Sequence, residues 1–497
     1  MKQRVAISFL IALLLIFLGA SGDRPGRPSR PSVARVKYVI ILIGDGMGAN
    51  HLEAAASYNP QPAPFAGWSL TWAATYGVLG SYDPARAWTD FDYPKHLAAD
   101  SAAAATAMFT GVKTANGRIA VTLDGTERLL SLAEKARGYG LGTGVATSSE
   151  ISDATPGAWM AHNDRRINGL AIADEGLWGD PFATGTVQDS TYYDGSHGPT
   201  FPPLDVLIGG GHPGWQDGHY VNAAIRDKLF REGGDPGAFI FLERRVGQDD
   251  GGARLLSAAD RPSVTRLAGL YGGAEGNLEY RLADGSGVDP ENPTLAEMTT
   301  AALNVLGRNP SGFLLLVEGG SIDLASHDGF MDRMLGELFG FYEAAQAVID
   351  WVDDPANDST WDNTLVIVTA DHETGYLTAG PGVFPDRPLG KIDPRTLALE
   401  KDVSGTGLRA SWEDSDQNGQ IDPGEQVYWC WNTTGHTNSL VPFFARGVGE
   451  ASLDILTSGL DPVRGGFMQN TDLFQVAAYA LARSRSAGAP PASPSRR

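Results

Sequence analysis

The stretch "VKYVIILIGDGMG" (residues 36–48) is unbroken apolar chain from Val39 to Ile43 and then stops at Gly44-Asp45-Gly46. Two other stretches repeat the pattern. "GFLLLVEGGSID" (312–323) breaks at Glu318-Gly319-Gly320, and "NTLVIVTADHETG" (363–375) ends in Asp371-His372. Short, wholly apolar runs bounded by glycine are strands buried on both faces of a parallel sheet. "LGTGVATS" (141–148) and "LDVLIGGG" (204–211) read the same way, and helix-like stretches at 127–137, 297–308 and 331–352 lie between the runs. Alternating strands and helices predict an α/β fold, a three-layer sandwich with a central, mostly parallel sheet and helices on both faces.

In open α/β sheets ligands bind beyond the carboxyl ends of the strands. Three strands here deliver Asp45, Glu318 and Asp371 to that one edge. A lone acid in a Gly-rich turn is ordinarily a turn residue bonding its own backbone. Three at one edge repel one another unless they are protonated or neutralised by metal. "EGGSIDLASH" adds Asp323 and His327 four residues apart, the spacing that puts two side chains on one face of a helical turn. "TTGHTNS" adds His436. Two histidines and a carboxylate are a donor set for zinc.

The formal net charge is −21, although the terminal segments 1–20, 21–35 and 483–497 are each net positive. A body this acidic argues against nucleic-acid binding, and it repels phosphate unless cations sit in the site. "MKQRVAISFLIALLLIFLGASG" (1–22) has Lys2 and Arg4, an apolar run from Val5 to Phe17 and then small residues. That is the layout of a signal peptide, too short for a membrane span, and it predicts a secreted or periplasmic chain with no stable membrane insertion. The single cysteine, Cys430, cannot form an intrachain disulfide, so the exported fold relies on its core and on metal. Residues 23–35 read as a Pro/Arg-rich linker and 483–497 as a disordered tail.

"AADSAAAATAMFTG" (98–111) leaves two readings of Ser101 open. It is a helix N-cap ahead of an alanine run, or a hydroxyl kept clear for attack.

Taken together, "IGDGMG", "DSAAAATAMFTGVKT", "ISDATPGAWMAHNDRR", "DVLIGGG", "VEGGSIDLASH", "TADHETG" and "TTGHT" resemble the alkaline phosphatases over most of residues 36–447. The resemblance implies a phosphomonoesterase with small phosphate monoester substrates, a catalytic domain at 36–482 and a homodimer. It implies one zinc ion on Asp323, His327 and His436. A second zinc would take Asp45, Asp371 and His372 and touch the Ser101 oxygen. A magnesium ion would take Asp45, Thr155 and Glu318. It makes Ser101 the nucleophile of two in-line displacements through a phosphoserine, with Ser101 also at a cap position. Arg166 grips the phosphate and Asp100 orients it; Arg165 is adjacent, and spacing alone separates the two. Asp153 is retained, but Leu324 stands where many relatives carry Lys, His or Trp near the phosphate.

"DSDQNGQIDPGE" (414–425) lies in an insertion at about 376–430, expected to form a cap near the site. Asp414, Asp416, Asn418, Asp422 and Glu425 occupy the oxygen-ligand places of a twelve-residue EF-hand loop, Gly419 the sharp turn, and Gln420 would give its backbone carbonyl. Flanking helices are not evident, which predicts a structural calcium site and not a switch. Two rival functions stay open: a metal-dependent phosphodiesterase of the same superfamily, which lacks the third metal site, and a non-catalytic calcium-binding surface protein, which would be expected to lose some of the zinc ligands.

Overall fold

A run of β-branched and leucine side chains with no polar face has to be covered on both sides, and the chain places three such runs side by side. The computed structural model describes residues 36–179, 203–212, 221, 223–234, 238–273, 276–450, 453 and 456–483. The leader, the Pro/Arg segment and all but the first residue of the C-terminal tail lie outside the described residues. The main sheet is built from β1 (Tyr38–Gly44), β2 (Ser69–Ala74), β3 (Gly142–Glu150), β4 (Val206–Gly210), β5 (Phe239–Glu243), β6 (Arg266–Tyr271), β7 (Phe313–Gly319) and β8 (Thr364–Thr369). Short strands follow: β9 (Glu373–Thr374), β10 (Leu377–Thr378), β11 (Glu400–Asp402), β12 (Arg409–Trp412), β13 (Val427–Trp431) and β14 (His436–Thr437). The last strands are β15 (Val441–Gly447), β16 (Gly459–Asp461) and β17 (Gly465–Gln469).

Eleven of these form one sheet in the order β16-β17-β2-β15-β8-β1-β7-β3-β4-β6-β5. It is mostly parallel, as expected; only the pairings that involve β15 or β16 are antiparallel. Helices surround it. The three strands that carry acids are neighbours, β8-β1-β7, and every residue of each is buried. Register then fixes the site. Ile43 is level with Glu318 on one side and with Thr369 on the other, so Asp45 and Asp371 emerge together, two residues beyond that line.

The helix Met331–Asp353 buries Met331, Met334, Leu335, Leu338, Phe341, Ala345, Val348, Ile349 and Val352, a stripe at spacings of three and four. It packs on the helix Leu295–Leu306, which Thr294 and Glu297 start with a reciprocal capping box. The helix expected at 127–137 begins later, at Leu132, because Ser131 caps it and pairs with Glu134. The insertion folds as a separate four-stranded sheet in the order β10-β13-β12-β11. Leu316, in the centre of β7, is fully buried. Its replacement by alanine is expected to cost about 2–5 kcal/mol, read as a fall in the urea midpoint at unchanged m-value.

Candidate active site

Asp323 and His327 do share a helical turn, in the helix Ser321–His327 that leaves β7, with His327 Nε2 3.1 Å from Asp323 Oδ2. His436 comes from β14, which pairs with β9 so that His436 faces Thr374. The three ring faces converge. His436 Nε2 lies 3.0 Å from His327 Nε2, and the rings of His372 and His436 stack with centroids 3.6 Å apart.

The outward nitrogens explain the orientation. His327 Nδ1 donates to the Thr434 carbonyl at 2.5 Å, and His436 Nδ1 donates to the Ala99 carbonyl at 2.9 Å. His372 Nδ1 meets the Thr374 hydroxyl at 3.3 Å. Metal-binding histidines engage their second nitrogen in this way, which leaves Nε2 as a bare lone pair. Two such lone pairs 3.0 Å apart repel unless a proton or a metal cation lies between them.

The carboxylates give the same signal. Asp45 Oδ1, Asp371 Oδ2, Glu318 Oε1 and the Thr155 hydroxyl oxygen are all buried without a hydrogen bond. Their other bonds are made: Asp371 Oδ1 accepts from the Gly46 and His372 amides at 3.2 and 2.9 Å, and Glu318 Oε2 accepts from Thr147 and, at 3.2 Å, from Ser149. Burial, and then the charges of Asp371, Asp323 and Glu318, push Asp45 well above the usual carboxylate range. Burial chiefly lifts Glu318 to about 8 and Asp371 to about 7. Burial alone would lower His327, but the hydrogen bond and charge of Asp323 outweigh it and raise it to about 9. Acids in this state hold protons at neutral pH unless a cation replaces them. Asp323, His327 and His436 bring one donor atom each within 4.8 Å of one another, as do Asp45, Asp323 and His372. The residues therefore fit divalent cations.

Ser101 faces this cluster, its Oγ 3.2 Å from His372 Nε2. It is not the N-cap of its helix, contrary to the reading of a cap position. Asp100 is the cap, accepting from the Ala103 amide at 2.9 Å, and Ser101 is the first helical residue of Ser101–Thr110. Asp has the oxygen that reaches back to the third amide, so the serine hydroxyl stays free of capping. All ten residues of that helix are buried, and the alanines let it pack closely on the helix Ala154–Met160. Asp100 also accepts from Gly117 at 2.8 Å and holds Arg166 at 3.4 Å, while Asp153 holds the other arm of Arg166 at 2.9 Å. Arg165 is exposed, whereas Arg166 is held between Asp100 and Asp153. Thr155 follows the Asp153 cap in the helix Ala154–Met160, and Leu324 sits half-buried beside Asp323.

A family model described as alkaline phosphatase matches residues 36–482. The chain belongs to the alkaline phosphatase family. Alkaline phosphatase 4 of Bacillus subtilis (strain 168) is 31% identical over 491 residues, covering 90% of this chain and 92% of that one. Among solved structures, a cold-active alkaline phosphatase from Shewanella sp. superposes with a TM-score of 0.60 at 24% identity, over 89% of this chain and 99% of the other. A mutant of the TAB5 alkaline phosphatase, described with Mg bound in its M3 site, gives 0.59 at 20% identity over 91% and 99%. Members of the alkaline phosphatase family are phosphomonoesterases, and small phosphate esters are their substrates.

In this alkaline phosphatase the acidic loop 414–425 joins β12 to β13, so it is the tip of a β-hairpin with no helix on either side. Oxygens of Asp414, Asp416 and Glu425 lie within 4.8 Å of one another. The Asn418 amide nitrogen donates to Asp414 and Asp416 at 3.1 Å each, and its side chain donates to Asp422 at 2.7 Å. Gly419 turns with φ of +75°, the Gln420 carbonyl accepts the Trp412 indole at 3.0 Å, and Lys401 pairs with Asp414.

Sequence reading did not find Thr374, nor Thr147 and Ser149 beneath Glu318. Thr374 stands inside "TADHETG", but a two-residue strand leaves no periodic signal. Stripping transition metals with 1,10-phenanthroline, at constant calcium and magnesium, is expected to lower the melting temperature, and added zinc to restore it. A cation bound at a thousand times its dissociation constant contributes about 4 kcal/mol, so an unchanged melting temperature in demonstrably stripped protein contradicts the metal fit.

Proposed function

We propose that this chain hydrolyses phosphate monoesters through a phosphoserine on Ser101, with two zinc ions and one magnesium ion resident in the site. The observation that carries the reading is the uncapped Ser101 hydroxyl, buried and 3.2 Å from a bare histidine nitrogen of the cation cluster. Asp323, His327 and His436 would hold one zinc, Asp45, Asp371 and His372 the other, and Asp45, Thr155 and Glu318 the magnesium. The orphaned oxygens of Asp45, Asp371, Glu318 and Thr155 support those sets, and the TAB5 relative's magnesium agrees with a third site. Bound zinc supplies Lewis acidity, lowering the pKa of an oxygen it touches and offsetting negative charge on phosphate.

The protein's own groups do the rest. Arg166 is fixed between Asp100 and Asp153, so its guanidinium is presented to bond two phosphate oxygens at once. Ser101 Oγ attacks phosphorus, the ester oxygen leaves with a proton, and the phosphoserine forms. Water then attacks the phosphoserine, and Ser101 recovers its hydrogen as phosphate leaves. The helix beginning at Ser101 aims its first amides and its positive dipole end at the phosphate. Leu324 offers no charge there, so Arg166 is the side-chain cation proposed to hold the phosphate. The leader supports export, and the acidic surface suits a saline exterior.

Ser101→Ala is expected to lower kcat at least about a thousandfold, and acid quench with labelled substrate to trap phosphate on Ser101 of the wild type. Label on another residue, or near-normal turnover of the variant, contradicts the assignment.

We further propose that the hairpin tip 414–425 binds calcium through Asp414, Asp416, Asn418, Asp422, Glu425 and the Gln420 carbonyl. The complete twelve-residue spacing and the convergence of Asp414, Asp416 and Glu425 support it. The ion would order the segment between His372 and His436 without entering the chemistry. Calcium at a hundred times its dissociation constant adds about 2.7 kcal/mol of stability. The melting temperature at saturating zinc and magnesium should therefore rise with Ca²⁺ in wild type and not in Glu425→Gln. A calcium-free wild type whose melting temperature ignores Ca²⁺ makes this loop an acidic turn and nothing more.

A further inference from the structure

We infer that Thr374 is a positioning residue that couples the two zinc clusters: its hydroxyl accepts from His372 Nδ1 and donates its own hydrogen to Asp323. The inference rests on the zinc reading above.

The direction of these two bonds follows from the atoms. Thr374 Oγ1 lies against Asp323 Oδ1 and 3.3 Å from His372 Nδ1. A carboxylate only accepts, and a hydroxyl has one hydrogen to give. That hydrogen therefore goes to Asp323, and toward His372 the hydroxyl can only accept. His372 must then carry its proton on Nδ1. Its bare Nε2 points into the cluster, 3.0 Å from Asp371 Oδ2, 3.2 Å from Ser101 Oγ and 3.7 Å from Asp45 Oδ1. On the other side, anchoring Asp323 Oδ1 turns Oδ2 toward His327 at 3.1 Å. One hydroxyl thus sets the tautomer of a ligand in one cluster and the rotation of a ligand in the other.

The backbone around Thr374 is built to hold this contact. The Thr374 amide donates to the Gly46 carbonyl at 3.1 Å, next to Asp45, and Thr374 pairs with His436 across β9 and β14. Gly46 sits at φ +73°, and a Cβ there would fall 2.9 Å from both Thr374 Oγ1 and Asp323 Oδ1. Only glycine leaves room for the pair. Thr374 itself is fully buried, so water does not replace its hydroxyl. His327 and His436 lean on backbone carbonyls, whereas His372 leans on a side chain that substitution can remove.

The test measures zinc retention, not turnover. Wild type, Thr374→Ser and Thr374→Val are loaded with zinc, counted by mass spectrometry of the metal, and challenged with a chromogenic chelator. Valine keeps the shape and removes both bonds; serine keeps the hydroxyl. Loss of an outer partner typically weakens metal affinity by about 10- to 100-fold. Thr374→Val is expected to weaken the retention of both zinc ions by that factor, with Thr374→Ser close to wild type. Circular dichroism of the stripped forms checks folding, and Thr374→Ala carries the same expectation should the valine variant not fold. Wild-type retention in the valine and alanine variants, weakening of a single ion only, or a serine variant as poor as valine each overturns the inference. A wild type that binds no zinc overturns the zinc reading itself, and this inference with it.

Discussion

Mutual repulsion among buried donors is the constraint on which the rest depends. Asp45, Glu318, Asp323 and Asp371 are buried within electrostatic reach of one another, and three histidines turn bare nitrogens into the same space. Among the described residues His327, raised to about 9 by Asp323, offsets at most one of these charges. Arg166 is tied to Asp100 and Asp153 and stands at the rim. Only cations make the arrangement stable with its carboxylates ionised. Such cations, once bound, would reconcile a strongly acidic chain with an anionic substrate by making the floor of the site positive inside a negative shell.

The scaffold meets that constraint with a rigid frame. Parallel pairing of β8, β1 and β7 aligns three strand ends to within two residues, and the buried register forbids slippage. What the frame does not reach, short devices complete. The helical turn Ser321–His327 carries the candidate ligands Asp323 and His327, the β9–β14 pairing sets His436 opposite Thr374, and the Asp100 cap leaves Ser101 uncapped while holding Arg166. Asp100 is therefore both a helix cap and a tether for Arg166, and its two roles use different oxygens.

Much of this was legible in the sequence because the signals were strong and local. Wholly apolar runs ending in Gly-Asp, Glu-Gly or Asp-His specify buried parallel strands and an acidic sheet edge, and the four-residue spacing of Asp323 and His327 specifies a helical turn. The cap assignment at Ser101 was off by one, since adjacent Asp and Ser both have capping oxygens and only geometry tells which one reaches back. In the sequence spacing alone separates Arg165 from Arg166: one faces solvent and the other is held by Asp100 and Asp153, and the difference depends on a loop without periodicity. Thr374 and Gly46 were invisible as partners because their contact with Asp323 joins segments far apart in the chain. The segments that pair to make it are too short to show a period.

Anomalous X-ray diffraction from crystals of the zinc-loaded protein, collected above and below the zinc edge, tests the central claim most directly. The account predicts two zinc peaks, one among Asp323, His327 and His436 and one among Asp45, Asp371 and His372 beside Ser101. Absence of anomalous density at these side chains in a crystal grown with zinc, or density elsewhere only, would contradict it.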